Sequence, residues 1–183
     1  MSTIRALKEW DAQIQALETG QTALVIRKGG IIEARGEFEV EHREFWLYPT
    51  FLHQNPGELR SEFSSLLRPD PAAGQVSIRT FARVERVWKL ENLETIKALE
   101  SEQCLTAAAL ERKFHYRNKP WVHALLLRVY NLEPAQTISE SELQRGCISW
   151  VPLEQTISTE NLKPSMDDKD FITQRRTLES LLD

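Results

Sequence analysis

Residues 121–132, WVHALLLRVYNL, are the strongest strand signal in the sequence. Successive residues of a strand point to opposite faces of a sheet, and in this stretch both alternate sets are largely apolar. Strands of this kind are covered on both faces, so they lie inside a sheet and not at its edge. The pattern predicts a central strand over residues 121–130.

Four further stretches predict strands around this one. TALVIRK (22–28) is apolar and β-branched, and Gly29 and Gly30 turn the chain after it. FEVEHREFWLYP (38–49) supplies one or two strands, and GCISWVPL (146–153) supplies another. Alternation in VSIRTFARV (76–84) predicts two faces, one with Val76, Ile78, Ala82 and Val84 and the other with Ser77, Arg79, Phe81 and Arg83.

Apolar spacing and capping residues predict helices between the strands. Apolar residues at three- and four-residue spacing predict a helix over residues 3–18. Asn55, Asn92 and Thr106 are favourable N-cap residues, so a helix is expected after each, the last running to about residue 117. The amphipathic stretch 167–182 predicts a closing helix.

These elements predict an α/β fold of the α+β type, with a mixed, mostly antiparallel sheet and flanking helices. The runs are too irregular for a series of βαβ units. RPDPAAGQ (68–75) holds two prolines and a glycine, so we expect it to join an N-terminal unit, residues 1–68, to a C-terminal unit, residues 75–183. The two units form separate cores or share one.

Composition limits the location and the partners of the chain. The net charge of −4 gives no overall basic signature, so a nucleic-acid site has to be a local patch. Two distant cysteines without metal-type spacing fit a reducing compartment. The N-terminus lacks the apolar region of a signal peptide, and the longest apolar run is too short to span a bilayer. We expect a cytoplasmic protein without a membrane partner. The sequence does not determine its oligomeric state.

Several chemistries find no support in the sequence motifs. The four histidines lack the i, i+4 spacing of a helical zinc site, so no metal site is predicted. There is no Gly-x-Ser-x-Gly elbow, and RKGG (27–30) has neither Walker nor dinucleotide-binding spacing. The sequence assigns no catalytic residue and no cofactor, and it leaves open whether the protein is an enzyme.

Interleaved basic and aromatic residues favour a nucleic-acid-binding or modified-base-binding module without chemistry. Arginines contact phosphates and aromatic rings stack on bases, so RNA or single-stranded DNA is the expected partner. A solvated sheet face with ordinary ion pairs is the other interpretation, because acids are interspersed throughout. The residues concerned are Arg27, Lys28, Arg79, Arg83, Lys119 and Arg128, with Trp46, Tyr48, Phe81 and Trp121.

A metal-dependent phosphodiesterase or nuclease is the alternative function. Such enzymes cluster carboxylates around Mg²⁺ to polarise a phosphate. Here Glu33, Glu41, His42 and His53 would supply the site if they meet in space.

Five blocks of the sequence resemble the bacterial domain-of-unknown-function family 1802: ALKEW (6–10), RKGGI (27–31), F.VEH..FWLYPTF.HQ (38–54), LLLRVYNL (125–132) and GCISWVPLE (146–154). The resemblance runs from about Ala6 to Glu154 and carries over no catalytic residue. It implies a hallmark block that includes Pro49 and nine candidate ligand-binding residues: Arg27, Lys28, Gly29, Gly30, Glu41, His42, Tyr48, His53 and Gln54.

The second half also resembles the PUA-like group of RNA- and modified-base-binding domains. The similarity lies in a basic strand, two short helices and an apolar strand, LLLRVYNLEPAQTI (125–138). The Gly-x-Lys-x-x-Glu-x-Arg signature of one PUA-like branch is absent, so the resemblance assigns no ligand.

Two residue pairs of the hallmark block carry specific hypotheses. Arg27 and Lys28 end a strand before two glycines, where an anion can approach the backbone closely. Arg27 is expected to contact a phosphate, or else to form a surface ion pair with Glu33 or Glu37. His53 and Gln54 lie between a strand and a helix cap, where they contact a ligand or fill a structural role.

Overall fold

The apolar stretch that begins near Trp121 forms β7 (Val122–Ser139), an interior strand of the main sheet. It pairs antiparallel with β6 (Gln75–Leu90) on one side and with β2 (Leu24–Arg27) on the other. All eight residues from Val122 to Val129 are buried, as two covered faces require. The prediction of an interior strand is confirmed.

A computed structural model describes residues 2–28, 31–34, 37–40, 42–146 and 148–183, and for residues 2–4, 31–34 and 37–40 it describes the backbone alone. Within these ranges the other strands are β1 (Ser2–Trp10), β3 (Ile31–Ala34), β4 (Glu37–Val40), β5 (Glu44–Thr50), β8 (Trp150–Ser158) and β9 (Lys163–Pro164). The α-helices within them are α1 (Asp11–Glu18), α2 (Leu93–Ala98), α3 (Ala107–His115), α4 (Glu142–Arg145) and α5 (Asp168–Leu182).

The main sheet is mixed and mostly antiparallel, with flanking helices, which confirms the expected fold class. Within the described residues its order is β2-β7-β6-β5-β1-β8, with β9 beside β7, and β1 runs parallel to β5. A separate pair joins β3 to β4. The sheet takes strands from both sides of the proline-rich stretch 68–75, and the division into two units stays a prediction.

The main sheet curls strongly, and this curvature positions the site described below. Three strands lie between β2 and β1 in the sheet order. Nevertheless, Arg27 Nη1 at the end of β2 lies 2.8 Å from the backbone oxygen of Lys8 on β1. Right-handed twist accumulated over several strands brings distant strands together in this way.

The N-terminal segment corrects the prediction of one helix over residues 3–18. Residues 2–10 form β1, and α1 begins only at Asp11. β1 finds partners on both sides, β5 and β8, so backbone pairing with distant segments overrides the helical spacing of the apolar side chains.

β6 corrects a second expectation, that Val76, Ile78, Ala82 and Val84 share one face. The register with β7 shifts between Ile78 and Thr80, where the ladder carries a bulge or similar irregularity. A break of this kind in the ladder lets the side chains on its two sides face opposite ways. As a result, Val76 and Ile78 pack with Phe81 in one apolar cluster, whereas Ala82 and Val84 lie in another.

The predicted helix caps are present. The side chains of Asn55, Asn92 and Thr106 each accept a backbone N–H, although the turns after Asn55 are 3₁₀ helices. α3 ends at His115, slightly earlier than expected, and Asp167 caps the closing helix α5. Among the residues described, no helix is both long and apolar enough to cross a membrane.

Candidate nucleic-acid interface

A cavity rich in cations lies where the curled sheet meets α3. Its volume is about 250 Å³, and we call it the cationic cavity. β1, β2, β5 and α3 each contribute to it. Its lining has four basic side chains and one acidic one, and consists of Lys8, Glu9, Trp10, Arg27, Lys28, Thr50 and Lys113.

Arg27 forms a buried ion pair at the wall of this cavity. Its Nη1 lies 2.6 Å from Glu9 Oε2, and the two side chains are only 10% and 8% exposed. Glu9 Oε1 also accepts hydrogen bonds from Gln13 Nε2 and from the backbone N–H of Trp10. The guanidinium therefore holds β2 against β1. This structural role is separate from any contact with an anion.

Lys28 is held by backbone oxygens and an aromatic ring. Its ammonium donates to the carbonyls of Phe114, Lys119 and Trp121, the first at 2.8 Å and the last at 2.6 Å. It also lies 4.7 Å from the centre of the Trp121 ring. Burial, with help from the charge of Lys119, lowers the pKa of Lys28. Lys28 thus anchors the chain after α3 to the end of β2.

Lys113 differs from the other cations of the cavity in its hydrogen bonds and ion pairs. It lies in the last turn of α3 and is half-buried. Among the described residues its ammonium has neither a hydrogen-bond acceptor nor an ion-pair partner. Burial lowers the pKa of Lys113, and the charge of Arg27 lowers it further, while Glu9 and Glu58 act in the opposite direction. A partly buried cation without a partner is stabilised when an anion binds beside it.

The surface next to the cavity is also basic. Residues 112–121, RKFHYRNKPW, hold four Arg or Lys residues and no acid, and we call them the basic segment. Tyr116 in this segment is 54% exposed, and the guanidinium of Arg117 lies 5.2 Å from its ring centre. The backbones of Arg117 and Asn118 adopt positive φ angles, which turn the chain sharply there.

Tyr48 lies in a larger cleft that adjoins the cationic cavity. This cleft has a volume of about 420 Å³, and we call it the aromatic cleft, since Tyr48 and Phe51 both line it. Tyr48 donates a hydrogen bond of 2.8 Å to Glu140 Oε1. Burial and this hydrogen bond to a carboxylate raise the pKa of Tyr48.

Gln54 and His53 differ in their environment. Gln54 Oε1 accepts the backbone N–H of Ala12 at 2.9 Å, so it caps the start of α1. His53 is exposed and has a φ of 66°. This cap gives Gln54 the structural role that the sequence left as one of two possibilities.

His42 lines neither the cationic cavity nor the aromatic cleft. It precedes β5, and its ring packs edge-on against Trp150 with the ring centres 4.9 Å apart. His53 follows β5, so a seven-residue strand, roughly 20 Å long, separates the two histidines. Within the described ranges, no three His, Cys, Asp or Glu side chains are grouped closely enough to hold a metal ion. Gly29, Gly30, Glu41 and the side chain of Glu33 lie outside the described residues.

Three of the basic residues singled out from the sequence lie in ordinary ion pairs elsewhere. Arg83 pairs with Glu44 at 2.9 Å, and Arg128 pairs with Asp168 at 2.5 Å. Arg79 lies within 4.0 Å of Glu18 and within 3.5 Å of Glu133. Of the aromatic candidates, Trp46 is fully buried in the core. Arg27, Lys28, Lys119 and Trp121 are the ones that the structure brings together.

Only Arg27 and Lys28 of the cavity lining are candidates from the sequence, and five residues are missed: Lys8, Glu9, Trp10, Thr50 and Lys113. Lys8 and Trp10 were assigned to a helix, and that assignment hides their position beside β5. Lys113 was overlooked because its neighbours in the cavity are distant in sequence. The acid-free run at residues 112–121 is the signal that could have found Lys113.

The sequence matches the family model described as "Domain of unknown function (DUF1802)" over residues 6–177. The chain belongs to the DUF1802 family. The match covers the cationic cavity, the basic segment and the aromatic cleft, so all three lie in the family domain. A comparison with curated proteins gave no match.

Among solved structures, this DUF1802 chain is similar to ASCH from Zymomonas mobilis. The identity is 15% over 95% of this chain and 94% of that one, with a TM-score of 0.45. Two mutants of the same protein match at 14% and 15% identity, each with a TM-score of 0.45. A likeness at this level carries no conclusion about function, and the PUA-like resemblance of the second half stays a prediction.

Proposed function

We propose that this member of the DUF1802 family binds single-stranded nucleic acid, RNA or DNA, through the cationic cavity and the basic segment. The observation that carries the proposal is the lining of the cavity, with four cations and one carboxylate in a chain whose net charge is −4. A cavity of about 250 Å³ suits a group of phosphate size better than a whole drug-sized ligand.

Each cation has a distinct part in this proposal. Arg27 and Lys28 are fixed by Glu9 and by backbone oxygens, so they set the shape and the potential of the cavity. Lys113 supplies the ammonium that is free to contact a phosphate oxygen. Charge-assisted hydrogen bonds of this kind are stronger than neutral ones.

The neighbouring aromatic side chains favour a nucleic acid over a simple anion. The basic segment presents the exposed ring of Tyr116 beside Arg117 and Lys119. Proteins that bind single strands combine such rings, on which bases stack, with cations that follow the backbone. No chemistry is assigned to the site.

Fluorescence anisotropy of a short labelled single-stranded RNA, and of its DNA counterpart, tests the proposal at low salt. Lys113→Gln should weaken binding roughly tenfold, the value of a hydrogen bond to a charged group. Arg176→Gln on α5 is the matched control, because it removes an equally charged, exposed side chain outside the cavity. Equal losses in both variants, or no binding by the unsubstituted protein, would overturn the proposal.

A further inference from the structure

The aromatic cleft and the cationic cavity share part of their lining. Lys8 and Thr50 line both. They lie on the adjacent parallel strands β1 and β5, whose register places Lys8 beside Tyr48 and Trp10 beside Thr50. The ammonium of Lys8 lies 5.6 Å from the centre of the Tyr48 ring and donates to the backbone oxygen of Gly146. Lys8 therefore borders both spaces, and one ligand that extends on both sides of it would contact both linings.

Phe51 is the distinctive side chain of the aromatic cleft. It follows β5 directly and is half-buried. Within the described part of the chain it belongs to none of the three apolar core clusters. The next residue, Leu52, is 67% exposed. An aromatic ring that lines a cleft and lies outside the apolar core clusters is available to a ligand.

Gln75 adds a polar side chain to the lining of the cleft. Gln75 at its wall is exposed, and its carboxamide makes no hydrogen bond to any described residue. A carboxamide offers donors and an acceptor, the combination that reads the edge of a base. At about 420 Å³ the cleft lies in the size range of small-molecule sites.

We infer that the aromatic cleft holds the base of the nucleotide whose phosphate lies in the cationic cavity. The base stacks on Phe51, the Gln75 carboxamide meets its edge, and Lys8 lies between base and phosphate. This inference rests on the proposed function and makes the ligand a nucleotide unit with its base exposed, as in a single strand. A duplex cannot offer its bases in this way.

NMR titrations at low salt with the four nucleoside monophosphates and with ribose 5-phosphate test the inference. At least one nucleotide should bind more tightly than ribose 5-phosphate, by roughly fivefold to a hundredfold, the value of stacking one base. Phe51→Ala should abolish that difference, and Phe51→Trp should keep it. Lys113→Gln should weaken every probe by a similar factor.

The outcomes separate the two proposals. If no nucleotide binds more tightly than ribose 5-phosphate, or if Phe51→Ala leaves the difference intact, the base site is overturned and the cationic cavity stands. If folded, unsubstituted protein binds none of the probes and no single-stranded RNA, the proposed function fails as well.

Discussion

Arg27 Nη1 lies 2.6 Å from Glu9 Oε2 and joins two strands, β2 and β1, that have three others between them in the sheet. The same nitrogen donates to the backbone oxygen of Lys8. Arg27 thus closes the curl of the sheet at the point where the cationic cavity forms. The cavity depends on this closure, because Lys8 and Lys28 reach it from the two joined strands.

Arg27→Ala is expected to lower the free energy of unfolding by about 3 kcal/mol. Removing one partner of a buried pair leaves the other charge without compensation, and here both side chains are about nine-tenths buried. Urea denaturation measures the change. Arg83→Ala is the control, since its pair with Glu44 is half-exposed and should be worth no more than about 1 kcal/mol. Similar losses in the two variants would contradict the role of Arg27.

This expectation differs from what the sequence alone suggests. The sequence places Arg27 at the end of a strand, where replacement by alanine is expected to leave the fold intact. Burial and the partner Glu9 are invisible in the sequence, because the two residues are eighteen apart on strands that are not neighbours. Contacts set by the curl of a sheet do not follow from the pattern of any single strand.

Lys113→Met should be at least as stable as the unsubstituted protein near neutral pH. Burial lowers the pKa of Lys113 from its ordinary 10.5, so its charged form costs stability in the folded state. Between the lowered pKa and about 10.5 the unfolded chain binds more protons than the folded one, and stability therefore rises with pH in that window. The variant lacks this rise.

Urea denaturation near neutral pH and at about pH 10 tests this sign. The advantage of Lys113→Met over the unsubstituted protein should shrink as the pH rises. Lys169→Met provides the control, because Lys169 is exposed on α5. A variant that is clearly less stable at neutral pH would show that the Lys113 ammonium has a stabilising role in the absence of ligand.

Gln54→Ala should cost about 0.5–2 kcal/mol, the usual value of a lost helix cap, because its side chain accepts the N–H of Ala12. His53→Gly should cost no stability, since glycine adopts a positive φ without steric penalty. Thermal melts of both variants distinguish the two neighbours. Neither change should alter RNA binding; a binding loss in a folded His53 variant would return that residue to the site.

The sequence predicts those parts of the molecule that depend on local pattern. The apolar run at residues 121–132 specifies β7, Asn92 and Thr106 begin helices as their side chains suggest, and the amphipathic stretch 167–182 forms α5. The sequence does not predict elements whose structure depends on strand pairing between distant segments. Residues 2–10 have helical spacing but become β1, and one irregularity near Arg79 exchanges the faces of β6.

The candidate site is predictable to a similar extent. Arg27, Lys28 and Tyr48 attract attention from the sequence, and each of them lines the cavity or the adjoining cleft. Lys113 and Lys8 do not, because α3 and β1 meet β2 only through tertiary packing. Whether the nine hallmark residues bind a ligand stays a prediction.

Millimolar Mg²⁺ or Mn²⁺ should leave the melting temperature unchanged. A metal that binds only the folded state raises it by mass action. The phosphodiesterase alternative needs His42 and His53 together, and β5 holds them at its opposite ends. A clear upward shift that EDTA reverses would contradict this expectation and revive the enzyme alternative.

The salt dependence of binding to single-stranded RNA shows whether Lys113 contacts a phosphate. Each phosphate contact contributes about 0.7 to the slope of log K against log salt for single strands. Lys113→Gln should therefore flatten the slope by about 0.7, while Arg176→Gln should leave it unchanged. An unaltered slope in folded Lys113→Gln would contradict a phosphate in the cationic cavity.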